Sequence, residues 1–221
     1  DPIVNTQPVN PADICVGGTS ADMTIAASGG TPSLNYQWQY FNGATWSNVV
    51  NATPAGSSYT GSTATVFSVA GISVAGAHLY RCLVSASGND CNTAVSNTVT
   101  VTVIADPVLT LPVFTNTSIC AGGSTIVSST ISGGTGVPTY QWQYFNASWG
   151  NVVNGTPAGA TYTNATSPTM TISGSSTAGV RQYRLTTTNA LGCDYNSAGA
   201  SYTVVADPGI SSQPASASIC V

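Results

Sequence analysis

Lysine and glutamate are absent from this chain of 221 residues, in which three arginines face seven aspartates for a net charge of −4. A nucleic-acid partner needs a basic patch to neutralise phosphates, and Arg81, Arg181 and Arg184 cannot assemble one. Without lysine, a Lys–Asn isopeptide cross-link cannot form within these residues, and without glutamate most acid–base devices are missing. His78 is the only histidine and no Cys-x-x-Cys spacing occurs, so a zinc site is not expected. No apolar run is long enough to cross a bilayer, and no charged-then-apolar leader opens the sequence. Membrane insertion of this segment is therefore not expected, while secretion stays open. Low charge does not imply disorder here, because 42% of the residues are hydrophobic, enough to build cores.

What is present is repetition. Gln37-Trp38-Gln39-Tyr40-Phe41-Asn42 returns as Gln141-Trp142-Gln143-Tyr144-Phe145-Asn146. Asp1-Pro2, Asp106-Pro107 and Asp207-Pro208 open successive units, and Ile14-Cys15, Ile119-Cys120 and Ile219-Cys220 follow each at nearly constant offset. The expected organisation is a repeat at 1–105, a second at 106–206 and the first strand of a third at 207–221, a window onto a longer array. Tandem copying of one scaffold points toward reach, stiffness and adhesion, and away from an enzyme.

Alternation at period two marks the strands. Met23, Ile25 and Ala27 alternate with polar neighbours, as do Trp38 and Tyr40, Phe67 and Val69, Tyr80, Cys82 and Val84, and Val99, Val101 and Val103. Gly29-Gly30, Asn42-Gly43, Thr53-Pro54-Ala55-Gly56 and Ala75-Gly76 supply turns between them. The second repeat keeps the order through Val127, Trp142, Met170, Ile172, Tyr183, Leu185 and Val204. No stretch shows helical periodicity. A Trp on the third main strand followed by Tyr-Arg-Cys at 80–82 or Tyr-Arg-Leu at 183–185 resembles an immunoglobulin domain. The fold class expected is all-β: tandem immunoglobulin-like, I-set-like antiparallel sandwiches arranged end to end. In that reading Trp38, Trp142, Tyr80 and Tyr183 are core residues, each tyrosine hydroxyl satisfying nearby backbone. Gln7-Pro8 and Gln213-Pro214 split the first strand. His78 aligns with Arg181 and reads as a solvated corner residue, so no catalytic residue is expected. Arg81 and Arg184 recur beside the buried tyrosines, and their outward parity suggests hydrogen bonding on the sheet face.

The cysteines depart from the usual immunoglobulin pattern. The strand-B partner of Cys82 is missing, since that position falls near Ile25 or Ala26, and the second repeat carries Leu185 where the first has Cys82. Cys82 is therefore expected to be a free, buried thiol. Cys15, Cys91, Cys120, Cys193 and Cys220 remain as disulfide candidates. Pairing within repeats, Cys15–Cys91 and Cys120–Cys193, would have to span a strand length of roughly 25–30 Å. A disulfide tolerates Cα separations of only about 4.4–6.8 Å. That geometry favours Cys15–Cys193 between repeats; intradomain bridges in a different topology stay open.

Other candidates carry less. Asp106 and Asp207 lie near the boundaries, but calcium sites usually gather several carboxylates, so neither a metal nor a cofactor is expected. Phe41 and Phe145 fall on the opposite parity from the core tryptophans, with Trp46 and Trp149 across the next turn. This aromatic edge could meet surface polysaccharide or a like filament, or simply cover the sheet edge or a neighbouring repeat. Asn-x-Ser/Thr triplets begin at Asn51, Asn116, Asn146, Asn154 and Asn164.

The set Asp-Pro, Gln-Pro, Cys-x-Gly-Gly, Gly-Gly-Thr-Pro, Tyr-Gln-Trp-Gln-Tyr, Thr-Pro-Ala-Gly and Tyr-Arg-Cys resembles the immunoglobulin-like repeats of giant Bacteroidetes surface proteins. These include the gliding-motility adhesins of flavobacteria. The resemblance covers essentially the whole chain. It implies export through the type IX secretion system, attachment at the outer membrane and display as extracellular filaments. The function expected is a structural stalk that spaces and transmits force between cell and distal binding site. The alternative is repeat-wise polysaccharide binding, gaining avidity along the filament.

Overall fold

The computed structural model describes residues 1–87, 92–134, 136–189 and 191–213. Every regular element among the described residues is a strand. In the first repeat these are β1 (Ile3–Thr6), β2 (Ile14–Cys15), β3 (Met23–Thr24), β4 (Ala26–Ser28), β5 (Leu34–Phe41), β6 (Trp46–Asn48), β7 (Ser58–Thr60), β8 (Val66–Ala70), β9 (Gly76–Ala86), β10 (Ala94–Val95) and β11 (Val99–Ile104). The second repeat continues with β12 (Val108–Leu109), β13 (Val113–Phe114), β14 (Ser118–Cys120), β15 (Ser124–Ser128), β16 (Ile131–Ser132), β17 (Thr139–Asn146), β18 (Ser148–Asn151), β19 (Thr161–Thr163), β20 (Thr169–Ser173), β21 (Gly179–Thr188), β22 (Asp194–Asn196) and β23 (Ala200–Val205).

Two compact units result. One comprises Asp1–Val108 together with Ser132–Pro138 and Thr188–Tyr195; the other comprises Leu109–Ile131, Thr139–Thr187 and the chain from Asn196. In the first unit one sheet runs β2-β11-β9-β5-β6, with β10 also on β9, and the opposing strands pair as β3-β8-β7 and β1-β4. The second unit repeats the plan as β14-β23-β21-β17-β18 against β13-β15-β20-β19. The first strand divides as the Gln7-Pro8 kink suggests: β1 pairs antiparallel with β4, and β2 crosses to pair parallel with β11. Proline has no N–H to give a ladder and fixes φ, so it suits the crossing point. The expected run from Met23 to Ala27 is two strands, because β3 pairs with β8 and β4 with β1, leaving Ile25 buried at the switch. Residues 207–213 form no strand, and the remainder of the expected third opening lies outside the described residues.

Alternation on β9 places His78, Tyr80, Cys82 and Val84 inward, all buried. Trp38 is fully buried and stacks on Phe67 with ring centroids 4.4 Å apart. Its indole nitrogen donates to the Ala64 carbonyl at 3.0 Å, and that of Trp142 to the Ser167 carbonyl at 2.8 Å. A buried indole thus keeps its one donor satisfied.

The repeated Thr-Pro-Ala-Gly motif has a steric reason. Gly56 and Gly159 adopt φ of 81° and 77°, and a Cβ on either would meet the carbonyl oxygen of Gly71 or Gly174. Those facing glycines are equally constrained by the oxygens of Gly56 and Gly159. Gly155 also has positive φ but open space around it. Gly159→Ala should therefore cost about 1–3 kcal/mol, more than Gly155→Ala, as measured by urea unfolding.

Candidate functional site

Two constellations recur or connect the repeats, one on the outer sheet face and one at the Cys15 end. On the sheet face the register sets Asn48, Gln39 and Arg81 side by side on β6, β5 and β9. Gln39 Nε2 donates to Asn48 Oδ1 at 3.2 Å, and Arg81 Nε donates to Gln39 Oε1 at 3.0 Å. The Arg81 guanidinium then lies 4.4 Å from the centre of the Trp46 ring. The second repeat reproduces each step: Gln143 to Asn151 at 3.1 Å, Arg184 to Gln143 at 2.8 Å, and Arg184 over Trp149 at 4.6 Å. Desolvation lowers the Arg184 pKa, as burying a cation must. Each row holds one cation by neutral hydrogen bonds and an aromatic face, with no carboxylate taking part.

The proposed aromatic edge is thereby largely used internally. Phe41 is half-buried against Trp46, centroids 5.3 Å apart, and the more exposed Phe145 packs on Trp149 at 5.2 Å. Trp149 also lies over Gly199, where a Cβ would come within 3.0 Å of the ring.

Beneath the opposite face, the core tyrosines correct an expectation. The Tyr80 hydroxyl reaches the Tyr59 hydroxyl at 3.4 Å rather than backbone, and Tyr59 donates onward to the Thr53 carbonyl at 2.6 Å. Tyr183, Tyr162 and Thr156 form the same relay at 3.0 and 2.8 Å. Since the outer tyrosine spends its proton on a carbonyl, the inner one must donate to it. Desolvation is the main reason that the Tyr80 and Tyr183 pKa values lie far above the ordinary phenol range, and it pushes Tyr162 up to about 12. His78 is likewise corrected: it is buried, with Nε2 paired to the Val74 carbonyl at 2.9 Å. Its counterpart Arg181 makes the equivalent bond, Nη2 donating to the Thr177 carbonyl at 2.8 Å. Both side chains close the corner that precedes the long strand, four residues back.

At the other constellation, a disulfide joins Cys15 to Cys193 with Cα atoms 5.5 Å apart. Both lie in the first unit, which includes Thr188–Tyr195. Neither cysteine is left for the pairings Cys15–Cys91 or Cys120–Cys193; Cys91 and Cys220 lie outside the described residues. Asn189 Oδ1 accepts from the backbone of Leu191 and Cys193, shaping the hairpin that carries the bond. The turn at Gly133-Gly134 rests on Asp106-Pro107, with only 3.2 Å from a Gly134 Cβ to the Pro107 ring. Asp106 brings a carboxylate oxygen within 4.8 Å of both sulfurs, but sulfurs joined in a disulfide are no longer thiolates and do not serve as metal ligands. Cys82 and Cys120 are free thiols, the first buried and the second exposed.

Comparison with known proteins places the architecture. The model of a domain of unknown function, DUF8696, matches residues 6–105. No curated protein matches the chain. The eight N-terminal immunoglobulin domains of Down Syndrome Cell Adhesion Molecule match at 13% identity, over 92% of this chain and 27% of that one, with a TM-score of 0.53. The fold is that of tandem immunoglobulin domains. Extracellular domains 3–5 of Drosophila OTK align at 16% identity over 94% of this chain and 62% of that one, TM-score 0.43. Three titin immunoglobulin domains align at 10% identity over 93% and 65%, TM-score 0.44. The chain thus spans between 27% and 65% of the length of these structures.

Two outcomes follow from the buried hydroxyls and thiols. Because native tyrosines such as Tyr162 hold protons that the unfolded chain releases near its ordinary pKa of 10, stability should be full below pH 10 and fall as pH rises toward 12. Urea midpoints at pH 9, 10 and 11 should show this, with a shallower fall in Tyr162→Phe. Burial pushes the Cys82 thiol up to about 11, so a maleimide at neutral pH should label Cys120 at once and Cys82 only after unfolding, as read by mass spectrometry.

Proposed function

We propose that this chain is a structural stalk segment of an exported cell-surface adhesin filament, holding a distal binding site away from the cell and carrying force to it. The observation that carries this reading is the Cys15–Cys193 bond, which ties the start of one repeat to the far hairpin of the next across a sequence separation of 178. A disulfide of this kind belongs to an oxidising, extracellular setting and ties chain segments far apart in sequence into one compact unit. Short Ala-Asp-Pro junctions, in which proline fixes φ and restricts its neighbour, support a division into domains at 1–105 and 106–206. The immunoglobulin fold is common in multidomain surface proteins, and the sequence resemblance to gliding-motility adhesins supports type IX export and outer-membrane attachment. Its partners are neighbouring repeats of the same array.

Polysaccharide binding through Phe41, Trp46, Phe145 and Trp149 has less support, because guanidinium groups already lie over both tryptophans. The stalk reading makes a mechanical demand. Pulled from its ends, the oxidised chain should release only the residues outside the disulfide loop. Reduction should add about 600 Å of contour length for the 178-residue separation at roughly 3.4 Å per residue. Single-molecule force spectroscopy measures both, and full extension of the oxidised chain would sink the proposal.

A further inference from the structure

The second repeat carries a groove of about 320 Å³ that the stalk reading does not use, lined by residues of the β17–β18 hairpin and the following loop, among them Tyr144, Asn146, Ser148, Gly150, Val153 and Thr156. Its volume lies at the lower end of the roughly 300–1,000 Å³ range of small-molecule sites. Its walls are fixed from behind. The Tyr144 ring packs on Tyr183 with centroids 5.3 Å apart, and the Thr156 carbonyl is held by the Tyr162 hydroxyl at 2.8 Å. Thr156 also donates its backbone N–H to the Val153 carbonyl at 3.0 Å. A groove built on such anchored groups needs little reorganisation to receive a ligand.

The corresponding hairpin of the first repeat is built differently. There, Asn42 Oδ1 accepts the backbone N–H of Ala44 and of Thr45 at 3.0 and 2.8 Å, so its side chain is consumed in closing the hairpin turn. In the second repeat Asn146 pairs directly with Ser148 across a tighter turn, and no hydrogen bond from its amide is found among the described residues. Opposite the strand tyrosine, Ser47 faces Tyr40 where Gly150 faces Tyr144. A Cβ on Gly150 would find nothing within 4 Å, so the missing side chain leaves open space beside the ring. The groove therefore gathers an aromatic surface, a free amide and the hydroxyls of Tyr144, Ser148 and Thr156, with no charged group among its lining residues. A carboxylate or phosphate would find no cation here, and an ammonium no anion. A neutral ring bearing several hydroxyls would find a flat apolar platform together with donors and acceptors at its rim.

From these features we infer that the groove is a site for a single neutral saccharide unit, present in the second repeat and absent from the first. The site is distinct from the Phe145–Trp149 edge on the other face of the same hairpin. It does not depend on the stalk reading, and either can fail alone.

The isotope-labelled chain titrated with glucose, galactose, N-acetylglucosamine and glucuronate tests it. Saturable amide shifts confined to residues 144–156 are expected with at least one neutral sugar, with none at 40–53 and none from glucuronate. Gly150→Ser, which installs the residue of the first repeat, should weaken binding about tenfold or more by filling the groove. Asn146→Ala should weaken it without filling the space, each variant being checked for an otherwise unchanged spectrum. Absence of saturable shifts, shifts centred on Phe145 and Trp149, equal response to glucuronate, or wild-type affinity in both variants would overturn the inference.

Discussion

Each repeat is organised around one indole that has to be buried and bonded together. Trp38 and Trp142 have no exposure, and the carbonyl that accepts each indole N–H comes from the segment just before β8 or β20 in the opposing layer. That bond sets the two layers at one spacing and one register, because an apolar ring alone could slide whereas a satisfied donor cannot. The rings around it then fall into fixed places: Phe67 on Trp38, Tyr59 and Tyr80 beside Phe67. The tyrosine relay extends the same logic to the layer edge, linking a buried hydroxyl through a half-buried one to a single backbone carbonyl.

Much of this fold is legible in the amino-acid order because strand alternation reports one face at a time. Trp38, Cys82 and Val101, or Trp142, Leu185 and Val204, announce the core by parity, and the exchange of Cys82 for Leu185 marks that site as an apolar position rather than half of a bridge. His78 carried the same signal, lying two residues before Tyr80 on β9, yet its polarity suggests solvent; the Val74 carbonyl it bonds is invisible to parity. The tyrosine relay had a cue as well, since Tyr59 and Tyr162 each follow their Thr-Pro-Ala-Gly motif at the same offset. The Asn–Gln–Arg–Trp rows were less accessible. Parity points Arg81 outward, but only the register across three strands brings Gln39 between Asn48 and Arg81.

Repetition also makes the differences between the copies readable. The hairpin after β5 spends an asparagine on its own turn, whereas its counterpart after β17 is tighter and keeps that amide for the surface. At the cysteines, Cys15 is bonded while its counterpart Cys120 is exposed and free, although both lie on strands that pair in parallel with the last strand of their repeat. The core keeps its buried positions while exchanging side chains, as at Cys82 and Leu185, and the hairpins and edges differ as well.

The placement of the arginines bears on resistance to proteolysis. With no lysine in the chain, these three residues are the sole points at which a trypsin-like protease could cut. All three lie within β9 or β21, hydrogen-bonded into sheets, with two guanidinium groups stacked on indoles. Proteases bind their substrates as extended segments pulled free of neighbours, so cleavage here would require dismantling a central strand. Digestion by such enzymes is thereby coupled to global unfolding.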